Sequence, residues 1–248
     1  MSVLASGAVV RQVLLSAGVE ESQIMAKLQP IATDMHALGN PWISYSVYLN
    51  NSFLPGLLQL MILLVTVFSI GSEMKRATTR EWLRTADDSI IIAITGKLIP
   101  QTIIFFSMGL LYLSLLYGYL HFPMHNSIWH MIFAMFLLVV ASQSFAVIIM
   151  CFAPSLRIGL SVGGLVGVLS LSIAGFSFPV PAMYLPFQAI SYVLPVRHYF
   201  LIYVDQALNG IPLYYSRVHY VALILFAVAS TPLLPRLKKA LMRQVYVP

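Results

Sequence analysis

The chain has 248 residues, of which 59% are hydrophobic and 9% charged, and a formal net charge of +6. A water-soluble domain carries roughly 25% charged residues, so the composition excludes one and describes an integral membrane protein. In such a chain the excess Lys and Arg mark the cytoplasmic side rather than a nucleic-acid site, and the single cysteine, Cys151, excludes an internal disulfide and a cysteine metal cluster.

Residues 1–50 differ from the rest. Arg11 and Gln12 interrupt a mildly apolar start, whereas a signal peptide puts its basic residues ahead of a continuous apolar core. Residues 20–27 read as a polar helix broken at Pro30, and residues 31–39 as a second short helix stopped at Gly39 and Pro41. Trp42, Tyr45 and Tyr48 then cluster as an aromatic approach to the bilayer.

A membrane span needs about 20 apolar residues. Five segments qualify: 53–72, with Pro55 and Gly56 at its mouth; 98–120, with Lys97 and Pro100 at its start; 128–152; 156–175; and 218–234. Cys151 lies inside the third as a small buried hydrophobe would. Gly159, Gly163 and Gly167 recur every four residues in the fourth span, where small side chains let helices approach closely, within the bundle or against a second subunit.

The dense block of charge is 73–88, between the first two spans. Lys75, Arg76, Arg80 and Arg84 supply cations; Glu73, Glu81, Asp87 and Asp88 supply anions. Four-residue spacing places Arg76, Arg80 and Arg84 on one face of a helix. Two readings fit: a solvated connector that sets topology, or a handle for a water-soluble partner.

Residues 176–217 are not an ordinary loop. The apolar stretches 187–194 and 196–208 are each too short to cross, and Pro195, Arg197 and His198 interrupt them. The segment reads as two short helices that enter the outer leaflet and return; one kinked crossing helix is the alternative. Charge favours the hairpin. With five crossings Lys75, Arg76, Arg80, Arg84, Arg157, Arg236, Lys238, Lys239 and Arg243 share one side, against Arg11, Lys27, Arg197 and Arg217 on the other. The expected fold is therefore an all-α integral membrane protein with five transmembrane helices plus an outer-leaflet re-entrant hairpin. The N-terminus lies outside and the C-terminus inside. The expected division is 1–50 as the tail of a longer external domain, 51–240 as the membrane domain and 241–248 as a cytoplasmic tail.

Catalytic signatures are missing from the sequence. It has no Gly-x-Ser-x-Gly elbow, no paired carboxylates within a span and no phosphate-binding glycine loop, so ATP would be handled by another chain. His121, His125 and His130 are the one candidate cluster for a lipid-acting enzyme, and their loop holds no carboxylate to complete a metal site. Asp205 is the acidic residue of the hairpin, and charge within the spans is sparse, which argues against an ion-driven carrier.

With these elements placed, roughly residues 30–240 resemble the permease subunits of type-2 ABC exporters, in the branch with a large external domain after the first span. Asn40-Pro41 with Tyr45, then Phe53-Leu54-Pro55-Gly56, resembles the family's entry to its second span. Glu73, Thr78, Glu81 and Leu83 resemble its Glu-rich Gly-Thr signature, and Gly96-Lys97 with Pro100 its Gly-Lys-x-x-Pro opening of the next span. Gly175, Phe178-Pro179, Pro186, Gln188, Ile190-Ser191, Pro195 and Gly210 resemble its outer hairpin, in which Arg197 also falls. The family's Gly before the Thr is Ala77 here, a residue that fits a helix, and the Pro that commonly follows the signature helix is absent.

The resemblance implies a bacterial inner-membrane exporter subunit that pairs with a second permease and with ABC ATPase subunits. ATP and Mg would sit on the ATPase, with no cofactor on this chain. Glu73, Thr78, Arg80, Glu81, Leu83 and Arg84 would form the coupling helix, and the cargo would be hydrophobic or amphipathic. The other expectation is a shortened, non-transporting scaffold paired with a full-length permease.

Overall fold

The structure is a computed structural model and describes residues 12–18 and 44–243. The chain divides into two units, 1–37 and 38–248. In the first, residues 12–16 are helical and Gly18 closes the turn with φ +75°. The expected helices at 20–27 and 31–39, and Trp42, lie outside the described residues.

The described residues of the second unit form helices joined by turns and short loops, with no strand. Helix α1 (Tyr45–Lys75) starts where the Ser44 hydroxyl accepts the Val47 N–H. Pro55 and Gly56 lie ten residues inside it rather than at its mouth. Proline removes the N–H that would reach the Asn51 carbonyl, a loss a membrane helix tolerates where neighbours cover the backbone. Here Tyr112 donates to the preceding carbonyl, that of Asn50, at 3.0 Å.

After a turn comes the short α2 (Thr79–Thr85), then α3 (Ile90–Leu113), which widens into a π turn at Ser114–Tyr119. This span begins eight residues before the expected residue 98, because the Ser89 hydroxyl caps Ile92 and opens the helix there. Lys97 and Pro100 are thus interior positions. The turn before α3 uses left-handed backbone at Asp87 and Asp88, with φ +53° and +55°, which short polar side chains tolerate.

Helix α4 (Ile128–Phe152) is the central post, burying Met131, Met135, Leu138, Ala141, Val147 and Met150. Cys151 is buried in it too. A turn at 153–155 leads into α5 (Leu156–Ile173), capped by Ser155. The chain then makes a 3-10 turn (Val180–Ala182) and forms α6 (Leu185–Tyr192) and α7 (Pro195–Tyr203), the latter running on as a π turn to Leu208. Helix α8 (Leu213–Val228) follows, and a 3-10 turn (Thr231–Leu233) leads into α9 (Leu234–Arg243).

Among the described residues five helices are long and apolar enough to cross a membrane: Tyr45–Lys75, Ile90–Tyr119, Ile128–Phe152, Leu156–Ile173 and the interrupted Leu213–Arg243. Segment 176–212 is a hairpin of two short helices rather than one kinked crossing helix. Its chain breaks at Val193–Leu194, between helices of 8 and 9 residues.

Three connections meet at one end of the bundle. Lys238 of α9 donates to the Asp88 carbonyl, the Arg236 guanidinium lies 4.6 Å from the Phe152 ring centre, and Leu156 packs on Gly71. The basic loop, the α4–α5 turn and the basic tail therefore share an end, as an odd number of crossings requires. The hairpin packs at the other end, where the His125 N–H donates to the Ala207 carbonyl at 3.1 Å and Tyr203 to that of Val47 at 3.4 Å.

Helices α1 and α5 pack through glycine. A Cβ on Gly167 would stand 2.3 Å from Leu60, one on Gly159 3.0 Å from Val67, and one on Gly56 2.5 Å from Leu171. Gly163 also faces Val67. The glycine row of the fourth span thus faces its own bundle, where backbones gain dispersion contact by close approach.

Candidate functional site

The charged loop is locked onto the spans by one ion pair. Lys97, from the second turn of α3, reaches back to α1 and donates to the Glu73 carboxylate at 2.6 Å and to the Ser69 carbonyl at 2.8 Å. The pair is about four-fifths covered: Lys97 is 19% and Glu73 22% exposed. The Thr78 hydroxyl donates to the same carboxylate, and the Thr79 hydroxyl to the Glu73 carbonyl at 3.3 Å. The Lys97 ammonium also stands 4.6 Å from the centre of the Trp82 ring. Glu73, Thr78, Trp82 and Lys97 thus join α1, α2 and α3.

Leucine fixes the orientation of α2. Leu83 is 1% exposed and packs in the same cluster as Ile90, Met150, Leu234 and Leu237. Arg80, Glu81 and Arg84 consequently face outward. Arg76 does not share their helix face, because α1 ends at Lys75 and the chain reverses through Ala77, at φ +58°. Ala77 is therefore not a helical residue. It occupies a left-handed position that costs an alanine roughly 1–2 kcal/mol and a glycine nothing comparable. That is a physical reason for the glycine of the resembling motif.

Helix α9 completes the platform. Leu234, Leu237 and Leu241 bury one face beside Leu83, while Arg236, Lys239 and Arg243 are exposed on the opposite face. Gly96 and Pro100 lie on the outer side of α3, and a Cβ on Gly96 would meet nothing within 4 Å.

At the hairpin end Pro179 opens the 3-10 turn, Pro186 lies in the first turn of α6 and Pro195 starts α7. Gln188 donates to the Met183 carbonyl at 2.7 Å and fastens that turn to α6. The residue that ties the hairpin to the spans is one the sequence reading missed. Gln59, buried in α1, accepts the orphan Val196 N–H of α7 at 2.8 Å and donates to Ser170 of α5 at 3.1 Å. Its signal is a lone amide in an apolar span. Asn126 donates to Gln206 at 3.0 Å, Gln206 to Ser216 at 2.8 Å, and Ser216 to Asp205 at 3.0 Å.

His121, His125 and His130 do not converge. The His121 and His125 rings each bond a different carbonyl, those of Tyr119 and Ala207, both at 2.8 Å. His198 and His219 do meet, Nδ1 to Nδ1 at 3.4 Å.

Five helices long and apolar enough to cross a membrane, a short helix pinned across their charged end and a two-helix hairpin at the other define a polytopic α-helical membrane protein. The family model for "ABC-2 family transporter protein" matches residues 2–234, and the chain belongs to that family. It is a multi-pass transporter permease subunit. Comparison with curated proteins and with solved structures finds no significant match.

Proposed function

We propose that the chain is the membrane subunit of an ATP-driven exporter, that α2 is its coupling element, and that a separate ABC ATPase docks on the face formed by α2 and α9. The observation that carries the reading is the ion-paired clamp. Because Glu73, Thr78 and Lys97 bind α2 to the ends of two spans, a push on α2 moves both spans rather than bending a loop. Arg80, Glu81 and Arg84 face outward as the docking contacts, and Leu83 is the inward anchor. The hydrolysed nucleotide and its Mg sit on the partner; a second permease completes the pathway, and the cargo is hydrophobic or amphipathic. The loop end is cytoplasmic and the hairpin end external, in a bacterial inner membrane. This is the orientation that the Lys and Arg of the loop, α4–α5 turn and tail favour.

The test is purification of the tagged chain from native membranes with its ATPase, comparing wild type with Arg80→Glu/Arg84→Glu. Reversing two outward charges is expected to remove co-purifying ATPase activity at least tenfold while membrane insertion is unchanged. An inserted double variant that retains the ATPase at wild-type level sinks the coupling role.

A further inference from the structure

Arg197 is the anomaly of the hairpin end. It is 8% exposed, sits in the first turn of α7, and forms no ion pair with any described carboxylate. One of its amino groups (Nη1) donates to the Ala174 carbonyl at 3.1 Å, at the C-terminus of α5, where the helix dipole offsets part of the charge. Its Nε is buried with no partner. The acidic residue of the hairpin, Asp205, is engaged by Ser216 instead. A guanidinium so enclosed is expensive unless an anion meets it.

The surroundings are shaped around that cation. Gly175 holds φ +104°, and a Cβ there would lie 2.7 Å from Nη1, so the glycine leaves the space the guanidinium fills. The Tyr192 ring stands 4.6 Å from the guanidinium carbon, although Tyr192 itself is 56% exposed. The nearby histidines have a defined arrangement. His198 Nε2 lies 3.0 Å from the Tyr192 carbonyl and so carries its proton there, leaving Nδ1 to accept from His219 Nδ1. Beside Tyr192 the surface of α6 is apolar, with Leu185, Phe187 and Ile190 exposed.

We infer that Arg197 is the recognition point for a phosphate-type oxyanion carried on an apolar-tailed amphiphile. The anion pairs with the guanidinium next to Tyr192, and the tail lies along the exposed face of α6. A planar fork suits an oxyanion better than a point charge does, and the flanking apolar face selects a tailed molecule over a free ion. The inference rests on the permease reading for its consequence, that such amphiphiles are the cargo class; the binding itself does not depend on an ATPase.

The test titrates the purified full chain in neutral detergent with dioctanoyl phosphatidic acid, with dioctanoylglycerol and with inorganic phosphate. Wild type is expected to bind phosphatidic acid at least tenfold tighter than either of the others. Arg197→Gln is expected to lose about tenfold or more of that affinity, the worth of one charge-assisted pair, while Arg217→Gln, an exposed cation at the same end, loses none. Equal affinity for phosphatidic acid and dioctanoylglycerol overturns the inference, as does an equal loss in both variants. Inorganic phosphate binding as tightly as phosphatidic acid overturns the amphiphile. A lower melting temperature of Arg197→Gln with unchanged affinity assigns the residue to capping α5 alone, and overturns the site. If Arg197→Gln does not fold, Arg197→Lys decides: it keeps the charge and loses the fork, and affinity within twofold of wild type overturns the inference. ATPase association is scored on the same preparations, so its loss with binding intact counts against the permease reading only.

Discussion

The two ends of the bundle hold charge in opposite ways. At the loop end the deepest cation, Lys97, has a carboxylate at 2.6 Å, while Arg80, Arg84, Arg236, Lys239 and Arg243 face outward on α2 and α9. At the hairpin end the deepest cation, Arg197, has a carbonyl, a ring and a helix terminus, but no carboxylate among the described residues. The deepest cation of the loop end is thus neutralised by a carboxylate of its own chain. The hairpin end is left with an unbalanced positive charge, as suits a place that meets an anion. The two ends also differ in how far apart in sequence their partners lie. Lys97 and Glu73 are 24 residues apart and Thr78 and Glu73 only 5, whereas Gln59 and Val196 are 137 apart.

The largest expected effect would break the hairpin end. Gln59→Leu removes the cap from the Val196 N–H inside an apolar bundle, which costs about 2–3 kcal/mol. It should lower the temperature at which the detergent-purified chain loses its monodisperse peak, and the hairpin should become the first segment cut by protease. Proteolysis beginning in the α1–α2 turn instead would contradict the role given to Gln59.

Next comes the neutralised end. Lys97→Met leaves the Glu73 carboxylate without its cation and should cost about 2 kcal/mol, allowing for its partial exposure. If the clamp is a true pair, Glu73→Gln/Lys97→Met recovers more than half of that loss, whereas additive losses in thermal unfolding would show two independent residues.

Two smaller changes sharpen the account of the loop end. Ala77→Gly relieves the left-handed alanine and should raise stability by about 1 kcal/mol; no gain on thermal unfolding would mean that the turn relaxes without it. Gly96→Ala fills open space on a helix exterior and should add about 0.5 kcal/mol through helix propensity.

Amino-acid order by itself determined what short-range physics controls. Apolar length set five crossings, Pro and Gly placement set the broken hairpin, and the asymmetry of Lys and Arg put loop and tail on one side, where Lys238 meets the Asp88 carbonyl. The residues of the charged loop were legible because they are contiguous and unlike everything around them. Tertiary structure decided the rest. It turned Ala77 out of the helix, took Arg76 off the face of Arg80 and Arg84, and carried the start of α3 eight residues back to Ile90. It also joined Gln59 to Val196, His198 to His219 and Lys97 to Glu73. In an apolar helix a lone amide or cation has no periodicity to betray its direction. Only the packing of distant spans fixes which polar atoms meet and which, like the Arg197 Nε, are left without a partner.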